Sequence, residues 1–302
     1  MKNQLSVGFI GFGEAGFELA RGLHSAGTSS IYVCDKATPD PARSLCLKSR
    51  AREAGAIFLE SIGEVVKEAG MILSVVPSEA SLAAAREAAP HLCPGKTYLD
   101  LSSSFPEDMK TVSALVEPSG GHFVDGAMMG ALPTFGHKVL IYVAGSHAEE
   151  AARLLNQKGM NLQTVGKEPG QASAIKLMLS ISTKGLEALL LEMLLAARSY
   201  KVEEPILAAF KQFFATGLDA AINRLVGSDA VHSGRRAKEM ESSVRLLKSL
   251  SIDPIMAEAT LRRLKWSMSL GLSEYFKGIS PAGYKEVIEA WEAIGLFPRR
   301  KT

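Results

Sequence analysis

Over the first half of the chain, short apolar runs alternate with amphipathic stretches. The apolar runs predict strands at residues 5–10, 31–35, 56–59, 71–76, 97–101, 122–125, 138–144 and 162–165. Helical periodicity separates several of them, for example at residues 81–89 and 148–156. Strands that alternate with helices in this way are typical of a parallel, doubly wound sheet.

The second half of the chain has a different pattern. From Gly170 onward the apolar positions follow a helical period, and we predict no strand there. A link that contains glycine and proline, residues 166–170, separates the two patterns. The sequence therefore predicts an α/β domain over residues 1–166 and an all-helical domain over residues 167–302.

A glycine-rich turn follows the first predicted strand and leads directly into a helical pattern. It comprises Gly11, Phe12, Gly13, Glu14, Ala15 and Gly16. The first glycine permits the turn, the second lets backbone approach a pyrophosphate, and the third lets the helix pack against the strand. The helix N-terminus offers free N–H groups to phosphates. We therefore predict a Rossmann-type, dinucleotide-binding domain, with the Glu14 carboxylate directed to solvent or to a ribose.

An acidic residue at the end of the second predicted strand indicates which dinucleotide binds. Asp35 lies about 20 residues beyond the glycines, a spacing at which a carboxylate binds the ribose hydroxyls of NAD and repels the 2′-phosphate of NADP. Lys36 follows directly and could accept that phosphate, so NADP stays open beside the predicted NAD. Val76 and Pro77, after the fourth predicted strand, are expected to pack near the adenosine or the nicotinamide.

Composition narrows the class of protein. The chain has 302 residues, a formal net charge of +2 and 47% hydrophobic residues. These values fit a two-domain globular protein and argue against a general nucleic-acid binder. Its three cysteines form no CxxC pair, which indicates reduced thiols and a cytoplasmic protein. The apolar residues 186–197 are too few to span a membrane, so we expect a buried helix there. We predict no membrane contact and no metal site.

A narrow polar line marks the first long predicted helix. At about 100° per residue, Ser180, Thr183 and Glu187 lie within about 40° of Lys176, and apolar residues continue the line. A helix whose polar line is confined to the end near a domain junction is expected to face a water-filled cleft there. Alternatively, Lys176 extends to the surface, as most lysines can. Spacing alone leaves both interpretations open.

Several segments together resemble the β-hydroxyacid dehydrogenase superfamily, which includes 3-hydroxyisobutyrate and 6-phosphogluconate dehydrogenases. GFIGFGEAG at residues 8–16 is similar to that family's GFIGLGxMG, and DLSSSFP at 100–106 to its DxST-x-x-P substrate motif. GQASAIK at 170–176 resembles the segment with the catalytic lysine. The resemblance implies that Lys176 is the catalytic lysine and that Ser102 contacts the substrate. KGLEALLLE and HSGRRAKEM resemble a branch with an uncharacterised 6-phosphogluconate dehydrogenase-like C-terminal domain.

The chain departs from the superfamily pattern at the substrate site. Ser180 stands where members usually have asparagine, and DGAMMGA at residues 125–131 replaces DAPVSGG. Met129 thus replaces a substrate-contacting serine, whereas Gly130 is retained. We predict that Met129 lines the substrate site together with Ser102, Gly130 and Ser180, the three residues that position the substrate. Because the altered loop normally helps to hold the substrate carboxylate, the resemblance leaves the substrate open.

A charged group in the second half could replace that loop. His232, Arg236 and Glu239 share one face of a predicted helix, with Arg235 near its edge. The two arginines could bind a carboxylate or phosphate at two points. Alternatively, this is an ordinary solvated face with an internal arginine–glutamate pair. We predict a substrate contact at His232, Arg235 and Arg236.

Together these features predict hydride transfer between NAD(P) and a small 3-hydroxy acid, as the resemblance implies, with Lys176 as general acid and base. Two alternatives stay open: imine reduction on the same scaffold, and a dinucleotide sensor without catalysis. The predicted partners are a small anionic substrate and, because the helical domain is apolar, a second copy of the chain in a homodimer.

Overall fold

The computed structural model of the chain describes residues 5–36 and 41–297. The chain forms two compact units, Met1–Ile181 and Ser182–Thr302. The division lies within one long helix. The predicted domain limits, 1–166 and 167–302, stay a prediction.

An eight-stranded sheet forms the centre of the first unit. Its strands are β1 (Ser6–Ile10), β2 (Ser30–Cys34), β3 (Ile57–Phe58), β4 (Met71–Ser74), β5 (Thr97–Asp100), β6 (His122–Met128), β7 (Leu140–Ala144) and β8 (Asn161–Gly166). Their order across the sheet is β3-β2-β1-β4-β5-β6-β7-β8. Every predicted strand is present, and β6 continues past its predicted end at residue 125.

One pair of strands departs from the predicted parallel sheet, because β6 and β7 are antiparallel. All other neighbours are parallel. A parallel connection needs a crossover long enough to return to the starting edge, usually through a helix. Between β6 and β7 the chain makes only short helical turns, so it re-enters the sheet from the edge at which it left.

Helices cover both faces of the sheet. They are α1 (Glu14–Ser25), α2 (Pro41–Glu53), α3 (Ile62–Glu68), α4 (Ser81–Ala88), α5 (Pro106–Val116), α6 (Leu132–Phe135) and α7 (Ala148–Asn156). Successive strand residues point to opposite faces. Leu73 accordingly packs in the core with α1, α2 and α7, and Ile72 packs in the core with α3, α4 and α5. The sheet is therefore doubly wound, as predicted.

The rest of the chain is helical. Its helices are α8 (Gln171–Tyr200), which begins in the first unit, α9 (Glu203–Phe213), α10 (Leu218–Ser249), α11 (Ile255–Ser269), α12 (Leu272–Tyr275) and α13 (Tyr284–Ala293). Between Gly170 and residue 297 the structure contains no strand, as predicted. Over the described ranges, no helix is both long and apolar enough to cross a membrane.

The expectation of a buried helix at residues 186–197 is wrong for the single chain. The segment is helical as part of α8, but Leu191 is 61% exposed and Leu195 is 58% exposed. Ile181, just before the segment, is 75% exposed. The apolar side chains that we predicted to be buried are therefore exposed in the single chain.

Candidate functional site

The glycine turn has the close contacts that its sequence predicts. Gly11 has φ +90°, and a Cβ there would lie 3.0 Å from the carbonyl oxygen of Val75. A Cβ on Gly16 would lie 2.5 Å from the carbonyl oxygen of Gly11. At Gly13 a Cβ would meet no described atom within 4 Å. No side chain caps the start of α1 in the described chain, so its first N–H groups remain available to a phosphate.

Asp35 stabilises this turn by a hydrogen bond. Its Oδ2 atom accepts the backbone N–H of Phe12 at 2.7 Å. Beside it lies a cavity of about 200 Å³ that is also lined by Lys36, Val76 and Pro77. A cavity at the ends of β1, β2 and β4, next to an uncapped helix N-terminus, fits the adenosine half of a dinucleotide. Cys34 lines it too, and burial raises the pKa of its thiol to about 12.

Acidic side chains outnumber the lysine around this cavity. Glu60 and Glu87 line it together with Asp35. The Lys36 ammonium lies 3.7 Å from a carboxylate oxygen of Glu87. Although the pair is exposed and weak, the glutamate competes with a phosphate for the lysine. Glu14 is exposed, in keeping with the predicted direction towards solvent.

A hydrogen-bond network organises the DLSSSFP segment that follows β5. Asp100 is buried at the end of that strand, and its Oδ1 atom accepts the N–H of Ser102 at 2.8 Å and the hydroxyl at 2.5 Å. Its Oδ2 atom accepts the hydroxyl of Ser81 at 2.7 Å. Burial raises the pKa of Asp100, and these hydrogen bonds oppose the rise. The Ser102 hydroxyl, which we predict to contact the substrate, therefore also stabilises the conformation of its own loop through its hydrogen bond to Asp100.

The next serine was missed by sequence reasoning. Ser103 has φ +57°, in the left-handed region that is costly for a residue other than glycine. Its Oγ atom is buried and has no hydrogen-bond partner among the described residues. Backbone strain of this kind often accompanies functional sites. The only signal in the sequence was the run of three serines.

Asp125 joins β6 to the start of α8. Its Oδ2 atom accepts the N–H groups of Gly170, Ala172 and Ser173 at 3.0, 2.9 and 3.1 Å. Its Oδ1 atom accepts the Ser173 hydroxyl at 2.6 Å. Burial raises the pKa of Asp125, and these four hydrogen bonds oppose the rise. The carboxylate caps a helix whose own sequence, Pro169-Gly170-Gln171, offers no capping side chain.

Three segments that the sequence singled out therefore meet at one edge of the sheet. Asp100 and Asp125 are register partners on β5 and β6. A Cβ on Gly170 would lie 2.7 Å from the carbonyl oxygen of Pro106, so the start of α8 lies against the DLSSSFP segment. Lys176 follows one turn after Ser173, with its side chain half-buried. This arrangement places the predicted catalytic helix beside the predicted substrate segment.

The altered segment at the end of β6 packs against the same helix. Met129 donates its N–H to the carbonyl oxygen of Leu140 at 2.7 Å, and its side chain contacts the small core that contains Ala127 and Ala172. Gly130 is exposed. Where the superfamily has a polar serine, this chain therefore has a packing residue.

The predicted arginine pair does not converge on one point. Arg235 is exposed and pairs with Glu239, as the alternative interpretation predicted. Arg236 is half-buried and donates to the Ser228 hydroxyl at 2.6 Å and to the Leu225 carbonyl oxygen at 3.3 Å. His232 is exposed on α10, and Ser180 is half-buried on α8. The predicted substrate roles of these residues stay predictions.

The reach of Arg236 requires a bend in α10. In a straight helix the Cα atoms of Leu225 and Arg236 would lie about 16 Å apart along the axis, beyond the reach of an arginine side chain. The Ser228 hydroxyl also donates to the carbonyl oxygen of Arg224, one turn back.

We predict that Asp125→Ala destabilises the first unit. The change removes the acceptor for buried N–H donors at the start of α8, and a buried donor without a partner costs about 2 kcal/mol. Urea unfolding should show a loss of this size. Asp125→Asn is the matched control, because its amide oxygen can still accept the three N–H groups. Equal stability of the alanine variant and the parent chain would contradict the capping role.

The uncapped glycine turn, Asp35 and the adjoining cavity are typical of a dinucleotide-binding domain. The chain belongs to the family defined by the NAD binding domain of 6-phosphogluconate dehydrogenase, whose model matches residues 6–167. A domain of unknown function, DUF1932, matches residues 197–267. For the described residues, no group of three histidine, cysteine, aspartate or glutamate side chains could hold a metal ion.

The chain is similar to proteins of related fold and sequence. A conserved protein of unknown function, described as structurally similar to 3-hydroxyacid dehydrogenases, is 35% identical over 89% of this chain and 99% of its own, with a TM-score of 0.60. Mitochondrial 3-hydroxyisobutyrate dehydrogenase of Drosophila melanogaster is 25% identical over 60% of this chain, and the match spans 56% of that protein. An imine reductase from Myxococcus stipitatus in complex with NADP+ has the same fold at 19% identity, covering 89% of this chain and 96% of its own, with a TM-score of 0.71.

Proposed function

We propose that this protein transfers a hydride between NAD and a small 3-hydroxy acid. The observation that carries the proposal is the Asp125 cap, because it holds the helix of Lys176 against the DLSSSFP segment. The glycine turn and Asp35 lie in the same unit. The cofactor turn, the substrate segment and the candidate base thus belong to one compact unit.

The roles follow from the chemistry of each group. The nicotinamide supplies the hydride exchange when it is bound. Lys176 takes up the hydroxyl proton during oxidation and returns it during reduction, the role of a general base and acid. Ser102, Gly130 and Ser180 position the substrate, and Arg236 binds its acidic group. The Asp125 cap fixes the direction of the helix that carries the lysine.

A substrate panel tests the proposal. The full chain is mixed with 3-hydroxy acids, aldonates or cyclic imines and with each nicotinamide cofactor, and the absorbance of reduced nicotinamide is followed. The proposal expects turnover with a 3-hydroxy acid. Turnover with imines alone would overturn it in favour of the reductase. Cofactor binding without any turnover would favour the sensor.

Imine reduction is the second candidate. The packed Met129 removes a polar group from the loop that holds the substrate carboxylate in the resembling superfamily. The fold that this chain shares with an imine reductase supports this candidate. A reductase of this kind would depend on the glycine turn and less on Lys176.

We expect NAD to bind more tightly than NADP, because acids surround the cavity and Glu87 competes for Lys36. Asp35→Ala should weaken NADH binding and abolish the preference, since the carboxylate both binds the ribose hydroxyls and repels a 2′-phosphate. Fluorescence titration with NADH and NADPH measures both effects. Lys36→Ala, as the control, should keep the preference for NADH. An unchanged preference in Asp35→Ala would show that another residue selects the cofactor.

A homodimer is the expected assembly, since α8 exposes Ile181, Leu191 and Leu195. Exposed apolar side chains in this number on one helix favour an interface. Light scattering on the full chain should give the mass of a dimer at micromolar concentration, and Leu191→Glu should lower it to that of the monomer. Monomer mass for the parent chain would contradict the prediction.

We also propose that the protein works in the cytoplasm. Cys34, Cys46 and Cys93 are all free thiols. Free thiols are the usual state in a reducing compartment.

A further inference from the structure

The cavity beside the glycine turn contains more charged groups than the predicted cofactor selector, Asp35. Its charged lining consists of Asp35, Lys36, Glu60 and Glu87. Among the described residues that line this cavity, Lys36 is the only cation. Lys36 follows β2 directly, whereas Glu87 lies on α4. Residues on two separate elements are therefore candidates for selecting the cofactor.

The lysine in this cavity already has an anionic neighbour. Its ammonium nitrogen lies 3.7 Å from a carboxylate oxygen of Glu87. The side chains of Lys36 and Glu87 are 67% and 47% exposed, so their pair adds little to stability. A 2′-phosphate beside Asp35 would have to displace Glu87 from the lysine, and the same carboxylate would repel it.

A thiol in the lining indicates that the charge of Glu87 acts inside the cavity. Cys34 is buried and lines the cavity. Burial raises the pKa of this thiol to about 12, and the carboxylates of Asp35 and then of Glu87 contribute to the rise. Carboxylates from two different elements thus disfavour negative charge at the same place.

Glu60 offers a comparison within the same cavity. Its carboxylate pairs with the ammonium group of Lys48 at 2.8 Å. Lys48 lies on α2, with its ammonium nitrogen 5.5 Å from the ring centroid of Phe58, and is not among the described residues that line the cavity. Loss of the Glu60 charge would therefore lower the repulsion of a phosphate without supplying a cation to it.

We infer that Glu87 is a second determinant of cofactor choice, because it keeps Lys36 from a 2′-phosphate. Asp35 repels that phosphate directly, and Glu87 adds to the discrimination by occupying the cation that would bind it. Glu87 acts through the lysine and is therefore a positioning residue. The inference rests on the preference for NAD in the proposed function, but it is independent of hydride transfer and of Lys176.

Nucleotide binding tests this inference without a redox reaction. Fluorescence titration of the full chain with NADH and NADPH gives the ratio of their dissociation constants. Calorimetry with 5′-AMP and adenosine 2′,5′-bisphosphate gives that ratio for the adenosine half alone, because the two differ only in the 2′-phosphate. In Glu87→Gln, NADPH and the bisphosphate should bind about tenfold more tightly, since one repelling charge is lost and one attracting charge becomes available. The affinities for NADH and 5′-AMP should change much less, because neither has a 2′-phosphate.

Two further variants assign the gain to the lysine. Measured against Lys36→Ala alone, the double variant Lys36→Ala/Glu87→Gln should gain less than about threefold in affinity for NADPH. Glu60→Gln is the matched control, because it removes the same charge from the same cavity, and its gain should also stay below about threefold. Raising the salt concentration from about 50 mM to about 500 mM should reduce the gain in Glu87→Gln, because the new contact is between charges.

Three results would overturn the inference. The first is NADPH binding in Glu87→Gln no tighter than in the parent chain. The second is an equal gain in Glu60→Gln and Glu87→Gln, which would show that the charge of the cavity alone selects the cofactor. The third is a tenfold gain that persists without Lys36. Failure of the proposed function looks different, because nucleotide affinities would then follow this pattern while the substrate panel gave no turnover.

Discussion

Replacing Lys176 by methionine should lower turnover at least about a hundredfold, because a positioned general base contributes about 10²–10⁴-fold in rate. Methionine keeps the helix propensity and approximate length of the side chain and removes the proton acceptor. Folding and nicotinamide binding should be retained, because the glycine turn and Asp35 are separate from α8. Steady-state turnover with the substrate found in the panel measures the loss.

The matched control for this variant is Lys184→Met. Lys184 lies on the same helix and is exposed, so this variant should turn over at the parent rate. Ser180→Ala should have a smaller effect than Lys176→Met, because a hydroxyl that orients substrate transfers no proton. Turnover of Lys176→Met near the parent rate would refute the dehydrogenase mechanism and would favour imine reduction as the activity.

Replacing Arg236 by alanine should raise KM steeply and leave NADH affinity nearly unchanged. Loss of one partner of a buried charged contact costs about 2–5 kcal/mol, or roughly 30-fold to several thousandfold in affinity. The structure adds a second role, because the same guanidinium contacts Ser228 and Leu225 across the bend in α10. Kinetics and thermal unfolding of the variant should therefore be measured together.

Ser228→Ala separates the two roles of Arg236. It removes one contact across the bend and leaves the positive charge in place. If Arg236 binds the acidic group, KM should rise much more in Arg236→Ala than in Ser228→Ala. Equal changes would mean that the arginine only supports the helix. A KM within twofold of the parent value in both variants would remove Arg236 from the substrate site.

Local features of the site could be predicted from the sequence. The glycine turn depends on a positive φ at Gly11 and on close packing at Gly16. Both requirements exclude a Cβ, so glycine itself is the signal. Asp35 could be located because a short second strand, β2, ends directly before it. The period of the apolar residues likewise predicted α8 and the absence of strands after it.

Interactions between distant residues were not predictable in this way. The Ser102 hydroxyl is held within its loop, and the neighbouring Ser103 carries the strain and the unpartnered hydroxyl. Nothing in three successive serines distinguishes them, because the difference arises from the position of Asp100 at the end of β5. Arg235 and Arg236 likewise differ in their partners, because Arg235 pairs with Glu239 at the surface and the guanidinium of Arg236 contacts Ser228.

By itself, the sequence determined the doubly wound sheet, the helical region after it and the glycine turn with Asp35, because periodicity and backbone conformation are local properties. Only the tertiary structure decided how the candidate site is assembled. Asp125 caps a helix that begins more than 40 residues later, and its hydrogen bonds to Gly170 and Ser173 depend on the pairing of β6 with β5. A carboxylate can replace a missing local cap from any distance along the chain, and sequence spacing carries no signal of that contact.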